Sequence, residues 1–323
     1  MTPLLQTIRR TIRRHGLCPT GSRVLVALSG GSDSVALTLV LRELAPNMAF
    51  EVVGIAHVNH QLREAADADE AFCRDFAARL GLPILVHRIA VKELAEAQGL
   101  SIEDAARRLR YDCLERAAAE LGATRIAVGH TIDDQAETFL LKLVRGAGAA
   151  GLGGIYPSRQ QVVRPLLDAS RIELREYLTS RGERWVDDET NADVRNPRNR
   201  VRHDVLPHME QALGLPARRA MARAAVLIGE DARWLDALAA ERLGRMAEAT
   251  DVGLEIDAER LRAEPSPILR RILLQALRIR ANGKEVGLEH VQTTVDVLTG
   301  LCAASDVPGS RVELRGKKLV LLQ

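Results

Sequence analysis

Short aliphatic and β-branched runs alternate with long amphipathic stretches through the first half of the chain. Residues 24–28 read as a buried strand, 33–44 as a helix, 51–58 as the next strand and 67–80 as the next helix. A strand over 84–89 follows. Then comes a long helix over 101–121, opened by the capping pattern Ser101-x-x-Asp104, a strand over 126–129 and a helix over 133–144. The strands are almost continuously apolar, which requires cover on both faces. The expected fold class is therefore α/β, a doubly wound, Rossmann-like parallel sheet. Ligands of such sheets sit beyond the C-terminal strand ends. The loops there span 29–34, 57–63 and 129–134, and they carry the chain's least ordinary residues.

Past Gly146 the pattern loosens into a glycine-rich stretch (Gly146, Gly148, Gly151, Gly153, Gly154), which reads as a mobile loop. A short strand at 161–164, a helix at 170–181 and a polar segment at 187–199 complete a first domain over 1–212. One Ala/Arg/Leu-rich helix within 213–250 is expected to bridge to a smaller, mostly helical domain over 251–323. That domain holds helices near 267–280 and 288–299 and short strands near 311–314 and 318–322.

With 323 residues, 46% of them hydrophobic, the chain can fill two cores. No run approaches the ~18 apolar residues of a membrane span. The N-terminal arginines (Arg9, Arg10, Arg13, Arg14) flank no signal-peptide core, so a cytoplasmic protein without a membrane partner is expected. Cys18, Cys73, Cys113 and Cys302 form no CxxC pair, which argues against a disulfide framework, a zinc site or an iron–sulfur cluster. The net charge of +2 conceals local clustering: residues 195–203 contain Arg195, Arg198, Arg200, Arg202 and His203 and no acid. Guanidinium groups suit phosphate, so this segment reads either as a polyanion contact or as a solvated loop.

The phosphate chemistry centres on Ser29-Gly30-Gly31-Ser32-Asp33-Ser34, between an apolar strand and a helix. Glycines admit an anion close to the backbone, and the helix N-terminus directs N–H groups and a dipole at it. Neither the Walker pattern nor GxGxxG is present, and the spacing resembles the pyrophosphatase-type PP-loop. Asp33 can compensate the helix dipole or hold a Mg²⁺ beside the phosphates. A second cluster, Gly129-His130-Thr131-Ile132-Asp133-Asp134-Gln135-Ala136-Glu137, sets Asp134 and Glu137 three apart on the opening turns of a helix. Thr131-x-x-Asp134 would serve as a plain capping box. The acids together can bind a metal or a substrate amine. Arg107 and Arg110 share a helix face beside Tyr111, as a solvated stripe or as an anion clamp.

Taken together, Ser29–Ser34, His57-Val58-Asn59-His60-Gln61-Leu62-Arg63, the 101–111 helix, Gly129–Thr138 with Arg145-Gly146, and 196–207 resemble the tRNA(Ile)-lysidine synthetases. The likeness covers nearly all of residues 20–210, and the chain looks like the family's short form. It implies that ATP activates the wobble cytidine of the CAU anticodon of tRNA(Ile) at its C2 oxygen, with loss of pyrophosphate. The ε-amine of free L-lysine then displaces AMP. The implied cofactors are ATP and Mg²⁺, with Asp33 as the metal ligand. Ser29, Gly30, Gly31, Ser32, Asp33, Ser34, His57 and His130 would bind ATP, while Asp33, Arg110, Asp134 and Glu137 would form the reaction centre. His60, Arg63, Arg145, Arg198, Arg200 and Arg202 would contact tRNA or the activated intermediate. The C-terminal domain would bind tRNA, and a homodimer is compatible with the resemblance. Two rivals use the same loop. A tRNA thiolase would need a reactive cysteine, and an ATP-sensing module would leave the acids and the basic segment without a role.

Overall fold

In a computed structural model describing residues 2–61, 66–187, 193 and 195–322, the chain forms two compact units, 1–227 and 228–323. The first runs α1 (Pro3–Arg14), β1 (Arg23–Ala27), α2 (Ser32–Met48), β2 (Glu51–Asn59), α3 (Ala66–Leu80), β3 (Ile84–Arg88), α4 (Val91–Gln98) and α5 (Ile102–Glu120). It continues with β4 (Arg125–Ala127), α6 (Ile132–Val144), α7 (Ala149–Leu152), β5 (Ser158–Arg159), β6 (Val162–Val163), α8 (Arg171–Thr179) and α9 (Pro197–Arg200). A π-helical turn (Val201–Val205) and α10 (Leu206–Leu213) follow.

The sheet of this unit has the order β3-β2-β1-β4-β6-β5, parallel except for the β5–β6 pair. From β1 the chain winds outward to β2 and β3, then returns to lay β4 on the other side of β1. The order therefore reverses between β1 and β4, where such sheets open a crevice. Alternation along β1 splits its side chains between two cores. Val24 and Val26 face a layer built from Leu5, Ile8 and Ile12 of α1, Val35, Leu37 and Leu41 of α2, Phe76 of α3, and Leu174 and Leu178 of α8. Leu25 faces the opposite way, toward Leu114, Ala117 and Ala118 of α5. The amphipathic N-terminus is thus a core helix, capped by the Thr2 hydroxyl and started by Pro3.

The division between the units falls inside α11 (Ala217–Met246), a single 30-residue helix. The second unit continues with β7 (Ala247–Ala249), β8 (Gly253–Asp257), α12 (Ala258–Arg262), α13 (Ser266–Arg280), α14 (Leu288–Leu298), β9 (Ala304–Val307), β10 (Ser310–Arg315) and β11 (Lys318–Leu322). Its strands form an antiparallel sheet of order β7-β8-β11-β10-β9. The two expected terminal strands, 311–314 and 318–322, are therefore the inner part of a five-stranded sheet. Ile256, Ile272, Leu273, Leu277, Leu298, Val312 and Leu319 fill its core. Among the described residues, no helix is long and apolar enough to cross a membrane.

Candidate active site

At the switch point, the ends of β1, β2 and β4 and the start of α8 enclose a cleft of about 1250 Å³. The Ser29–Ser34 loop closes on itself. Ser29 N–H donates to Ser34 Oγ at 3.1 Å, and Ser34 Oγ–H donates to the Gly31 carbonyl at 2.9 Å. Gly30 takes φ +90°, a left-handed conformation that favours glycine, and its carbonyl accepts from Val186 N–H at 3.0 Å. Gly31 is the N-cap of α2 and no side chain caps that turn. The helix therefore presents its first N–H groups and its positive dipole end to the cleft, an anion cradle. Gly129 has a different reason: a Cβ there would stand 3.2 Å from the Asp33 carbonyl carbon and 3.3 Å from Ser34 N. A side chain there would push the loop away by a few tenths of an ångström.

The acids of α6 are gathered by arginines. Asp134 divides its two oxygens: Oδ2 accepts from Thr131 N–H at 2.8 Å and Thr131 Oγ–H at 2.9 Å, completing a capping box. Its Oδ1 accepts from Arg171 Nη2 at 2.5 Å and Arg198 Nη2 at 3.0 Å. The capping and site readings of Asp134 thus hold together, one on each oxygen. Glu137, wholly buried, accepts from Arg171 Nη1 at 2.9 Å, Arg198 Nε at 2.7 Å and Arg202 Nε at 2.7 Å. Asp33 Oδ2 accepts from Arg171 Nε at 3.0 Å, and Asp33 Oδ1 from Ser32 Oγ–H at 3.2 Å. Asp133 Oδ2 accepts from the backbone N–H of Arg171 at 2.9 Å, and its Oδ1 pairs with Arg218 Nε at 3.4 Å.

Burial pushes the Asp134 and Glu137 carboxyls up, but the surrounding guanidinium groups win and hold both below the ordinary carboxylate range. Asp33 goes the other way. Its burial, reinforced by Asp134, outweighs the Arg171 charge and raises its pKa. A further cation beside Asp33 would relieve that cost. Among the described residues, no group of three His, Cys, Asp or Glu side chains could hold a metal ion on its own.

Three histidines of the cleft have pKa values lowered mainly by burial. His57 Nδ1 lies 2.9 Å from the Leu28 carbonyl and donates to it, which leaves Nε2 a buried acceptor without a partner. His60 Nε2 accepts from Arg110 Nη2 at 3.2 Å. Burial, aided by the charge of Arg110, brings His60 down to about 4. His130 is also held at about 4 by burial, and its Nδ1 accepts from Arg164 Nε at 3.1 Å. Arg107 stacks on the Tyr111 ring at 5.4 Å rather than reaching the acids.

The sequence-predicted residues thus separate. Ser29, Gly31, Ser32, Asp33, Ser34, His57, His60, Arg110, His130, Asp134 and Arg202 line the cleft, with Glu137 behind the acids. Arg198 reaches the same acids from α9. Arg145 is exposed at the C-cap of α6, the end opposite the acids, and Arg200 is exposed on α9. Arg63 lies outside the described residues. Cys73 is buried beneath Gly30, and desolvation pushes its thiol up to about 12, far from a reactive thiolate. Arg171 is the central residue that sequence reasoning missed.

Residues 4–209 match the model of the PP-loop domain family. A tRNA(Ile)-lysidine synthase of Geobacter sulfurreducens is 38% identical over 98% of this chain and 67% of its own length. One from Symbiobacterium thermophilum is 40% identical over 88% of this chain but only 61% of its own length. The chain therefore spans about two thirds of these two relatives. The tRNA(Ile)-lysidine synthase of Chlorobaculum tepidum matches nearly end to end, 35% identical over 94% of this chain and 91% of its own. Among solved structures, the U34-tRNA thiolase NcsA from Methanococcus maripaludis, described with its [4Fe-4S] cluster, aligns with a TM-score of 0.58 at 16% identity. That alignment covers 70% of this chain and 78% of the thiolase and speaks to the fold alone. A phosphate loop and an arginine-bound acid cluster at one switch point, carried in a sequence that pairs with its relatives at this level, place the chain in the tRNA(Ile)-lysidine synthase family.

Proposed function

We propose that this chain joins free L-lysine to C2 of the wobble cytidine in the CAU anticodon of tRNA(Ile), in the cytoplasm and at the expense of ATP. The observation that carries the reading is the meeting of an uncapped helix N-terminus with a buried carboxylate pair in one cleft. The loop cradles the triphosphate through backbone N–H groups. The C2 oxygen of cytidine attacks the α-phosphorus, the bond to the β-phosphate breaks, and pyrophosphate leaves. The lysine ε-amine then attacks C2, the C2–O bond breaks with its electron pair going to AMP, and the amine loses a proton.

That amine has an ordinary pKa of ~10.4, so a neutral nucleophile at pH 7 costs about 4–5 kcal/mol. Asp134 and Glu137 are the groups suited to bind the ammonium, while the guanidinium groups that depress their pKa values leave them weak bases. His57 and His130 are suited to contact ATP, His60 the tRNA, and Arg110 the reaction centre. A Mg²⁺ fits the donor set at Asp33, because this ion is usually held by one or two carboxylates together with phosphate oxygens and water. It would neutralise the phosphates there. Arg200, exposed beside the site, is suited to the tRNA backbone, while Arg198 and Arg202 serve the reaction centre.

Incubation with ATP, labelled lysine and purified tRNA(Ile), followed by nucleoside mass analysis, tests the reading. The expected product is cytidine heavier by lysine less one water, with AMP and pyrophosphate formed alongside. Pyrophosphate release without incorporation of lysine by the unaltered chain would sink it.

A further inference from the structure

Asp33, Asp133, Asp134 and Glu137 form one acid cluster at the cleft, and Arg171 touches all four. Arg171 meets Asp33 through Nε, Asp134 through Nη2 and Glu137 through Nη1, and its backbone N–H donates to Asp133. Asp33 belongs to the phosphate loop's helix, whereas the other three open α6. This residue therefore spans the two halves of the cleft.

Its own placement is tightly determined. Arg171 is the first residue of α8, and Ser170 caps that helix in a reciprocal box with Glu173. The backbone is thus fixed before the side chain extends. A cation in the first turn of a helix opposes the helix dipole, so this position is costly unless acids compensate it. Here they do, and the side chain is only 18% exposed. The other arginines do not duplicate the arrangement. Arg198 and Arg202 also hold Asp134 and Glu137, and among the described residues the ion pair to Asp33 comes from Arg171.

We propose that Arg171 is a positioning residue that sets the adenylating half of the site against the amine-binding half, so that the activated cytidine is captured by lysine rather than by water. The proposal rests on the lysidine reading. Without the bridge, the loop still binds ATP and the cytidine is still adenylated, but the acids that carry the amine are no longer aligned with C2. Water then attacks C2, AMP leaves, and unmodified cytidine is regenerated. ATP is consumed without product.

The readout is the ratio of pyrophosphate released to lysine incorporated, measured on the full chain with tRNA(Ile), ATP and lysine. It should lie near one for the unaltered chain and rise on the order of 10- to 100-fold for Arg171→Ala, as expected when reacting groups are misplaced by about an ångström. Arg171→Lys keeps a charge but cannot fork to three acids, and it should give an intermediate ratio. Arg181→Ala removes the ion pair to Glu43 beyond the far end of α8 and leaves the bridge intact, so its ratio should stay near one. If Arg171→Ala proves unfolded by circular dichroism, Arg171→Lys decides alone. An unchanged ratio in the folded Arg171 variants, or equal loss of both steps, overturns the inference. Failure of the unaltered chain to incorporate lysine would instead overturn the function on which it rests.

Discussion

Glu137 concentrates the energetics of the site in one side chain. It is wholly buried and accepts from Arg171, Arg198 and Arg202, so replacing it with Gln leaves partly buried guanidinium groups facing an amide. Breaking a buried pair in this way costs about 3–5 kcal/mol. Its folded-state pKa is depressed, so its stabilisation is present above the ordinary carboxylate range and is lost as pH falls through the lower folded value. Glu137→Gln should therefore lower the melting temperature at pH 7 and flatten the acid side of the stability curve. Melting the two proteins across that range checks the sign, and parallel curves would refute it. The same variant should still release pyrophosphate but fail to use the activated cytidine. Raising the pH from about 7 to about 9.5 increases neutral lysine amine roughly 300-fold and should partly restore incorporation. No recovery, with equal loss of both steps, would move Glu137 from the amine to the phosphates. The sequence exposed this residue because Asp134 and Glu137 sit three apart on a helix. It did not expose Arg171, although Ser170-x-x-Glu173 marks a helix start and an arginine just inside such a start needs acids nearby. The partners came from α2 and α6, and only the tertiary fold shows that.

At the scale of elements, the basic segment divides between two surfaces. Periodicity offered little here, because residues 195–203 are polar apart from Pro197 and Val201 and read as a polyanion contact or a solvated loop. The chain instead forms α9, capped by Asn196, and passes directly into a π-helical turn and α10. This winding carries Arg198 and Arg202 inward to the α6 acids and leaves Arg200 exposed. A phosphate contact lowers the slope of log K against log salt by about one when it is lost. Arg200→Ala should flatten the salt dependence of tRNA binding by about that amount between roughly 50 and 200 mM salt. Arg198→Ala should instead reduce thermal stability while leaving the slope nearly unchanged. Filter binding and melting curves on the two variants separate these roles, and a reversed pattern would put Arg198 on the RNA. The parallel sheet was far more legible, since its apolar strands and glycine turns are local signals. The strands β7 and β8 were not: Ala-Glu-Ala has little strand propensity and extends the pattern of the preceding helix.

For the whole molecule, the question is whether the two compact units melt as one. Each has its own core, and the boundary between them falls within α11 rather than in a Gly/Pro-rich linker. The phosphate loop, the acids and the arginines that bind them all belong to the first unit. A ligand stabilises what it binds, by ~2.7 kcal/mol at a hundredfold excess over Kd, so ATP with Mg²⁺ should raise a transition belonging to residues 1–227. Leu273 is fully buried in the second core, and Leu273→Ala should destabilise that unit by about 2–5 kcal/mol. Calorimetry of the full chain should then show two transitions, one raised by nucleotide and the other lowered by the substitution. Each perturbation should leave the second transition near its original temperature. If α11 instead couples the cores fully, a single transition will respond to both, and the units are then one cooperative body. Independent melting would also predict a separable effect on function. Leu273→Ala should leave ATP affinity unchanged while weakening tRNA binding, provided that the second unit supplies part of the RNA surface. Unchanged tRNA binding in a variant whose second unit is demonstrably unfolded would confine RNA recognition to residues 1–227.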